Sequence, residues 1–491
     1  MTKTFPQTPE FAGLNEPTRL EAELYDLVVE GEIPAEIDGS WYRLTPDPQF
    51  PPKFEDDTYL SGDGMLSRFR FHDGHVDYVS RYVRTERFNN ERAARRALYG
   101  HYRNPYTDDE SVAFKGNRTV ANTTPIFHGG RLFALKEDSR PIEVDPETME
   151  TIGEWDFNGK LKSETMTAHP RYEPDTGYLH SYGYEADGLA SKMISYFVID
   201  RDGELIREEW FEAPFCSLVH DFLVTEKHVI FPLSPTTCDF DRVKEGGPHW
   251  VWDPNLPTYV GIMPRDGTAK DMRWFKGPPT SSFHFMNAYT EGDKVHMDFG
   301  YAKTNQFPFI RAVSNVEFNP QDMMVPYVRW TFDLGSDSDT WEERPLGMGG
   351  DFPRVADKDH MKDYEIGYYL NYVPENGPPI MAGPVMVAFN TISRINVKTG
   401  ELRSFSLGPG TTCNEHIHVP SSKPGHEGYL IYISDDANTT LAEVIILEAE
   451  HPEKGPLARI KMPIRLRAQV HGNWVPADVL AGVQARKEAA E

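Results

Sequence analysis

Four histidines stand in similar local settings far apart in the chain. They are His169 in Met166-Thr-Ala-His-Pro170, His220 in Ser217-Leu-Val-His-Asp-Phe222, His284 in Ser281-Ser-Phe-His-Phe-Met-Asn-Ala288, and His471 in Arg467-Ala-Gln-Val-His-Gly-Asn-Trp-Val-Pro476. Each lies beside a strand-like run. His471, for example, follows the extended stretch Ile460–Leu466 and precedes Gly472 and Trp474. A strand end followed by small residues readily presents a ligand. Imidazole suits iron, copper, nickel and zinc, and no HExxH or carboxylate-rich metal loop competes for the role. Any one buried imidazole is commonly satisfied by a backbone group instead, so the weight falls on the set, which suits one shared metal. Among the other histidines, His72, His75, His101, His128, His228 and His451 sit in turn-like or charged contexts that suggest no site.

A metal-bound imidazole generally needs an acceptor on its second ring nitrogen, which fixes the tautomer. Acids in apolar strand contexts are the candidates: Glu137 after Leu132-Phe-Ala-Leu-Lys136, Asp351 before Phe352-Pro-Arg354, and Glu415 in Cys413-Asn-Glu-His-Ile-His-Val-Pro420. Most acids in a chain of net charge −26 are plain surface groups. That charge also speaks against nucleic acid as a partner, because phosphate binding needs a cationic surface.

The elements that must position these residues read as β. Runs rich in Val, Ile, Tyr, Phe and Trp alternate with Asp/Gly turns, as in Ser67–Val79, His128–Leu135, Tyr196–Arg207 and Ile395–Phe405. An N-terminal arm carries one strand-like run, Leu24–Glu30. The clear helical stretch is Asn89–Tyr99, with Gly100 as its stop. Many hairpins, few helices and no strict period predict an all-β chain closed as a propeller, since radial repetition hides strand edges. Inner strands along one axis would then bring the histidines together. Pro- and Gly-rich loops such as Pro374–Pro384 read as insertions over one face, and the tail Ala485–Glu491 as frayed. No low-complexity linker divides the chain, so one domain over 1–491 is expected. The odd count and wide spacing of the three cysteines, Cys216, Cys238 and Cys413, argue against a disulfide framework and against a CxxC zinc site. With no apolar leader and no run long enough to span a bilayer, the expectation is a reducing, cytoplasmic setting.

The chain resembles the carotenoid cleavage oxygenases, and within them the lignostilbene dioxygenase branch. The motifs are Ser61-Gly-Asp-Gly-Met65, Tyr102-Arg-Asn-Pro105, Ala134-Leu-Lys-Glu-Asp138, Thr167-Ala-His-Pro170, Val219-His-Asp-Phe222, His284-Phe-Met-Asn-Ala288, Asp351-Phe-Pro-Arg354 and His471-Gly-Asn-Trp474. Each is short, but eight occur in the family order between about residues 15 and 478. The resemblance implies a seven-bladed β-propeller, with loops and short helices capping one face over the active site. It implies Fe(II) held by His169, His220, His284 and His471. Glu137 would support His220, Asp351 would support His284 and Glu415 would support His471, while His169 would have no acidic partner. Asp351 stands where the family usually has glutamate, one methylene longer. Tyr102 and Lys136 match the pair that binds the 4-hydroxyl of a phenolic stilbene. Leu60 stands where the branch commonly places a phenylalanine against the substrate. In β geometry Lys136 and Glu137 would point to opposite sides.

The resemblance therefore implies an Fe(II)-dependent dioxygenase that uses O2 to cleave the alkene of a 4-hydroxystilbene into two aromatic aldehydes, with Lys136 and Tyr102 favouring the phenolate. Shorter alkenylphenols, isoeugenol or 4-vinylguaiacol giving vanillin, are the nearest alternative. An apocarotenoid substrate is a second, although a hydrocarbon polyene has no use for a charged lysine. A non-catalytic propeller that binds partners is the different class, because fold alone does not fix function. A hydrolytic zinc enzyme is disfavoured, since four protein ligands close a zinc site. A homodimer is left open.

Overall fold

The computed structural model describes residues 4–307, 309–313 and 325–482, so the reading of the tail falls outside the described residues. The strand-and-turn rhythm is realised as antiparallel hairpins. Gly64–His72 pairs with His75–Tyr82 through the two-residue turn Asp73-Gly74, both with positive φ. Such a turn matches the twist of the strands it joins. Along His75–Tyr82 every second residue is buried, the period that places Val76, Tyr78, Ser80 and Tyr82 on one face.

The pairing corrects the expectation of a seven-bladed propeller. The described strands form eight separate sheets: two of five strands, five of four and one of three. No sheet closes into a barrel or propeller. A hairpin rhythm in the sequence reports only local pairing. Closure depends on long-range partners that the alternation does not encode. What holds of the expectation is the mostly β content.

Two local readings also change. The helix spans Glu86–Ala94 rather than Asn89–Tyr99. Thr85 caps its start by accepting from the Phe88 amide, and Arg95 ends it in a left-handed conformation. The single strand expected over Leu24–Glu30 is broken at Asp26, which has φ +51. Ala22–Leu24 pairs with Tyr78–Ser80, whereas Val28–Gly31 pairs with Ala458–Lys461 in another sheet. The chain's ends are thus tied to distant partners, and Gly472–Pro476 pairs antiparallel with Gly39–Arg43.

Sheets adjacent in sequence share apolar clusters. Tyr182, Phe222 and Phe231 belong to one, and Ile262, Phe285 and Trp330 to another. This packing fixes where the edge strands lie, and those edges matter most for the site. Arg171–Tyr172, Leu223–Val224, Phe285–Glu291, Asp351–Arg354, Ile417–Val419 and Gly472–Pro476 are each the outermost strand of a different sheet.

One edge requires a glycine. Gly350 has φ +152, and a Cβ there would lie 2.0 Å from the Leu370 carbonyl oxygen. The register slips between Asp351 and Arg354, and Phe352 takes φ +51. This distorted turn sets the direction of the Asp351 side chain. Gly350→Ala should therefore lower stability by about 1–3 kcal/mol from backbone strain, before any clash is counted. Chemical denaturation of the purified variant checks it.

Candidate metal centre

His169, His220, His284 and His471 each sit at or just before the start of a short edge strand, each from a different sheet. The sequence placed them at strand ends. In the structure a strand leads away from each of them, so the side chain projects from the last loop residues before pairing begins. Their ligand atoms all lie within 4.8 Å of one another. His169 Nε2 is 3.0 Å from His220 Nε2, which is 3.3 Å from His284 Nε2. The rings of His169 and His471 stand nearly perpendicular with centroids 4.6 Å apart.

The second ring nitrogens are engaged. His220 Nδ1 lies 2.7 Å from Glu137 Oε2, His284 Nδ1 2.8 Å from Asp351 Oδ1, and His471 Nδ1 2.8 Å from Glu415 Oε1. These carboxylates accept Nδ1–H and so leave each Nε2 lone pair directed at the shared centre. Glu415 also accepts from the Gly472 amide at 2.8 Å. No carboxylate contacts His169 among the described residues; its amide donates to Thr167 Oγ1 at 3.0 Å. The shorter Asp351 reaches His284 directly because of the turn at Phe352, whose amide donates to the same Asp351 oxygen at 2.8 Å.

The electrostatics match this division of labour. Burial, then the neighbouring imidazoles, pull His169 well below the ordinary histidine range. Burial lowers His471 as well. Burial opposes ionisation of Glu415, but the imidazole of His471 outweighs it and holds the carboxyl down to about 2. Glu137 and Asp351 are shifted down in the same way, with burial overcome by His220 and His284 respectively. His284 differs: burial opposes its charge, but Asp351 overcomes burial and raises it above the ordinary histidine range. The carboxylates thus lie outside a ring of imidazoles that do not all shift the same way. His471 Nε2 is buried with no hydrogen-bond partner, which leaves a desolvation penalty that a cation would relieve. The four nitrogens fit a mononuclear Fe(II) site.

A cavity of about 270 Å³ adjoins the centre. His220 and His284 line it on one side, Tyr102 and Lys136 elsewhere, with Leu60, Leu218, Phe283, Phe307, Ile310 and Val385 among its apolar walls. Lys136 and Glu137 follow the strand Arg131–Leu135 and serve different partners. Glu137 holds His220, while Lys136 Nζ donates to Asn122 Oδ1 at 3.0 Å and to the Leu60 carbonyl at 3.2 Å. The ammonium also lies 5.1 Å from the Tyr102 ring centre. Burial lowers the Lys136 pKa. The Tyr102 hydroxyl is buried without a partner, and burial raises its pKa well above the ordinary phenol.

Sequence reasoning missed Asn122, which holds Lys136 and donates to the Leu60 and Gly62 carbonyls at 2.8 and 2.7 Å. It also missed Phe283, whose ring stacks on His220 at 3.9 Å. Phe283 adjoins His284 and was within reach of the motif; Asn122 carries no signal of its own in the sequence.

The family model described as RPE65, retinal pigment epithelial membrane protein, matches residues 15–476. The chain is 42% identical over 486 residues to lignostilbene-alpha,beta-dioxygenase isozyme III of Sphingomonas paucimobilis, covering 97% of this chain and 99% of that one. It is 39% identical over 473 residues to isoeugenol monooxygenase of Pseudomonas nitroreducens, covering 95% and 98%. The crystal structure of Pseudomonas brassicacearum lignostilbene dioxygenase superposes with a TM-score of 0.93 at 41% identity, over 97% of this chain and 100% of that one.

If the four imidazoles hold iron, His471→Ala should purify without it after reconstitution, and elemental analysis reads the loss. Glu415→Gln should keep the fold but weaken iron affinity about 10–100-fold, measured by competition with a chelator.

Proposed function

The chain belongs to the RPE65 family of carotenoid cleavage oxygenases, close to its lignostilbene dioxygenase branch, and on that premise we propose that it cleaves the alkene of a 4-hydroxystilbene with O2 to give two aromatic aldehydes. It is a non-haem iron dioxygenase that breaks a carbon–carbon double bond. The observation that carries the substrate assignment is the pairing of a buried ammonium, Lys136, with an unpartnered buried hydroxyl, Tyr102, in the apolar cavity that His220 and His284 also line.

Ferrous iron held by His169, His220, His284 and His471 would supply the electron-transfer chemistry that lets O2 react. The remaining work falls to the chain. Lys136 takes two neutral oxygens as partners, Asn122 Oδ1 and the Leu60 carbonyl. Its charge therefore stays available to a third acceptor, and a phenol oxygen placed there ionises more readily because the ammonium stabilises the phenolate. The Tyr102 hydroxyl donates to the same oxygen and fixes the ring's orientation. Phenolate charge delocalises through the ring onto the alkene, which makes the distal alkene carbon nucleophilic. The apolar walls exclude water, so the electrostatic effect of Lys136 is not screened. His220, held by Glu137 on one side and stacked on Phe283, keeps its position at the cavity's edge.

A shorter alkenylphenol is the second reading. It is favoured by the modest cavity and by the similarity to an isoeugenol monooxygenase. An apocarotenoid would leave Lys136 facing hydrocarbon, a charge buried without a partner.

Aerobic incubation of the iron-loaded protein with a 4-hydroxystilbene, isoeugenol, 4-vinylguaiacol and an apocarotenal, with aldehydes identified by mass, tests the assignment. Stilbene cleavage should dominate; exclusive cleavage of the apocarotenal would overturn it. Lys136→Met should lower kcat/KM for the hydroxystilbene about 10²-fold or more with iron content unchanged. The 4-methyl ether, which cannot ionise, should not be turned over.

A further inference from the structure

Behind one wall of the cavity lies a cluster of buried ionisable groups that the proposed reaction does not use. His249 lines the cavity. Its Nε2 faces both oxygens of Glu185, at 3.0 and 3.1 Å, and Arg103 Nε meets the same carboxylate at 3.0 Å. On the far side of the ring, His249 Nδ1 lies 3.8 Å from Cys238 Sγ. The order guanidinium, carboxylate, imidazole, thiol is that of an activated nucleophile, in which the carboxylate orients a base and the base takes the thiol proton.

A second thiol stands opposite the first. Ser217 and Thr237 form an antiparallel bridge, and the Cys238 amide donates to the Cys216 carbonyl at 3.3 Å. Cys216 and Cys238 are therefore directly opposed across the pair. Residues so opposed have Cα atoms about 5.5 Å apart, inside the range a disulfide spans. The contact with Cys216, then that with His249, holds the Cys238 thiol below the ordinary thiol range despite burial, and the same contact with burial pushes Cys216 up. Cys238 is partly exposed, whereas Cys216 and Cys413 are buried. Glu185, Cys238 and His249 also meet the spacing of a metal site. A cation is the poorer occupant, because the Arg103 guanidinium already neutralises the Glu185 carboxylate.

We infer that Cys238 and Cys216 form a redox-active dithiol beside the substrate cavity, oxidised by low-molecular-weight disulfides. The Cys238 thiolate attacks one sulfur of the small disulfide, forming a mixed disulfide and releasing one small thiolate, which takes up the proton held by His249. The Cys216 thiol then attacks the Cys238 sulfur, the Cys216–Cys238 bond forms, and the second small thiol leaves with the Cys216 proton. Two electrons pass from the protein's two thiols to the small disulfide. The bond ties down the start of the segment that leads through the helix Phe240–Lys244 to Gly246–Trp250 in the cavity wall.

The test treats reduced, iron-loaded, full-length protein with 2-hydroxyethyl disulfide, quenches by alkylation, and maps the cysteines by peptide mass. A Cys216–Cys238 link with Cys413 still alkylated, reversed by dithiothreitol, is the expected result. Cys216→Ser should stop at one mercaptoethanol on Cys238. Glu185→Gln should slow capture about tenfold, as fewer thiolates form. If a variant fails to fold, the order of reaction in the unaltered protein decides. Modification of Cys413 as fast as Cys238, a mixed disulfide on Cys238 that never resolves, or three thiols surviving in the folded protein would each overturn the inference.

Discussion

Four imidazole nitrogens within 4.8 Å of one another impose the constraint on which the rest depends. Were each ring to carry a proton on the inward nitrogen, the centre would be four donors facing each other with nothing to accept. The conflict is resolved outside the cluster. Carboxylates on His220, His284 and His471 take the Nδ1 proton and so turn three lone pairs inward. The arrangement suits a cation, and the unpartnered His471 Nε2 marks where the need is greatest.

The four histidines and the three carboxylates each lie in or beside a strand of a different sheet, so seven of the eight described sheets position one residue apiece. Precision therefore rests on the apolar clusters between sheets, which fix one edge strand relative to the next. The acids follow the same economy. Glu415 accepts from the His471 ring and from the Gly472 amide, so one carboxylate positions both a ligand and the strand that carries it.

The histidines were legible because each sits in a short motif whose neighbours are strand-forming. The β content was legible from the alternation and the Asp-Gly turns. The sheet pairing was not. Val28–Gly31 joins Ala458–Lys461 and Gly39–Arg43 joins Gly472–Pro476, partners that no local pattern announces, and the expected propeller gave way to eight open sheets. Asn122 was invisible for a similar reason. Its role depends on three carbonyl and ammonium partners brought to it by the fold, and an isolated asparagine before a strand reads as a turn residue. The reach of Asp351 was equally hidden, because it depends on a positive φ at Phe352, a residue whose type gives no hint of it.

The cage around Lys136 explains how a lysine can be buried here with no carboxylate hydrogen-bonded to it among the described residues. Its hydrogen-bond acceptors are an amide and a carbonyl oxygen, which take two of its three N–H donors, while Asp138 and Glu137 act on the charge only through space. A carboxylate in either place would make the ammonium comfortable and the cavity indifferent to phenolate. Glu137, the adjacent acid, is committed to His220 instead. Two consecutive residues thus divide one strand end between the metal side and the organic side of the cavity: the anion orders a ligand, and the cation is kept short of a partner. On the proposed reading, a charge held in that state would discriminate among ligands by ionisation, since a bound oxyanion would complete its environment.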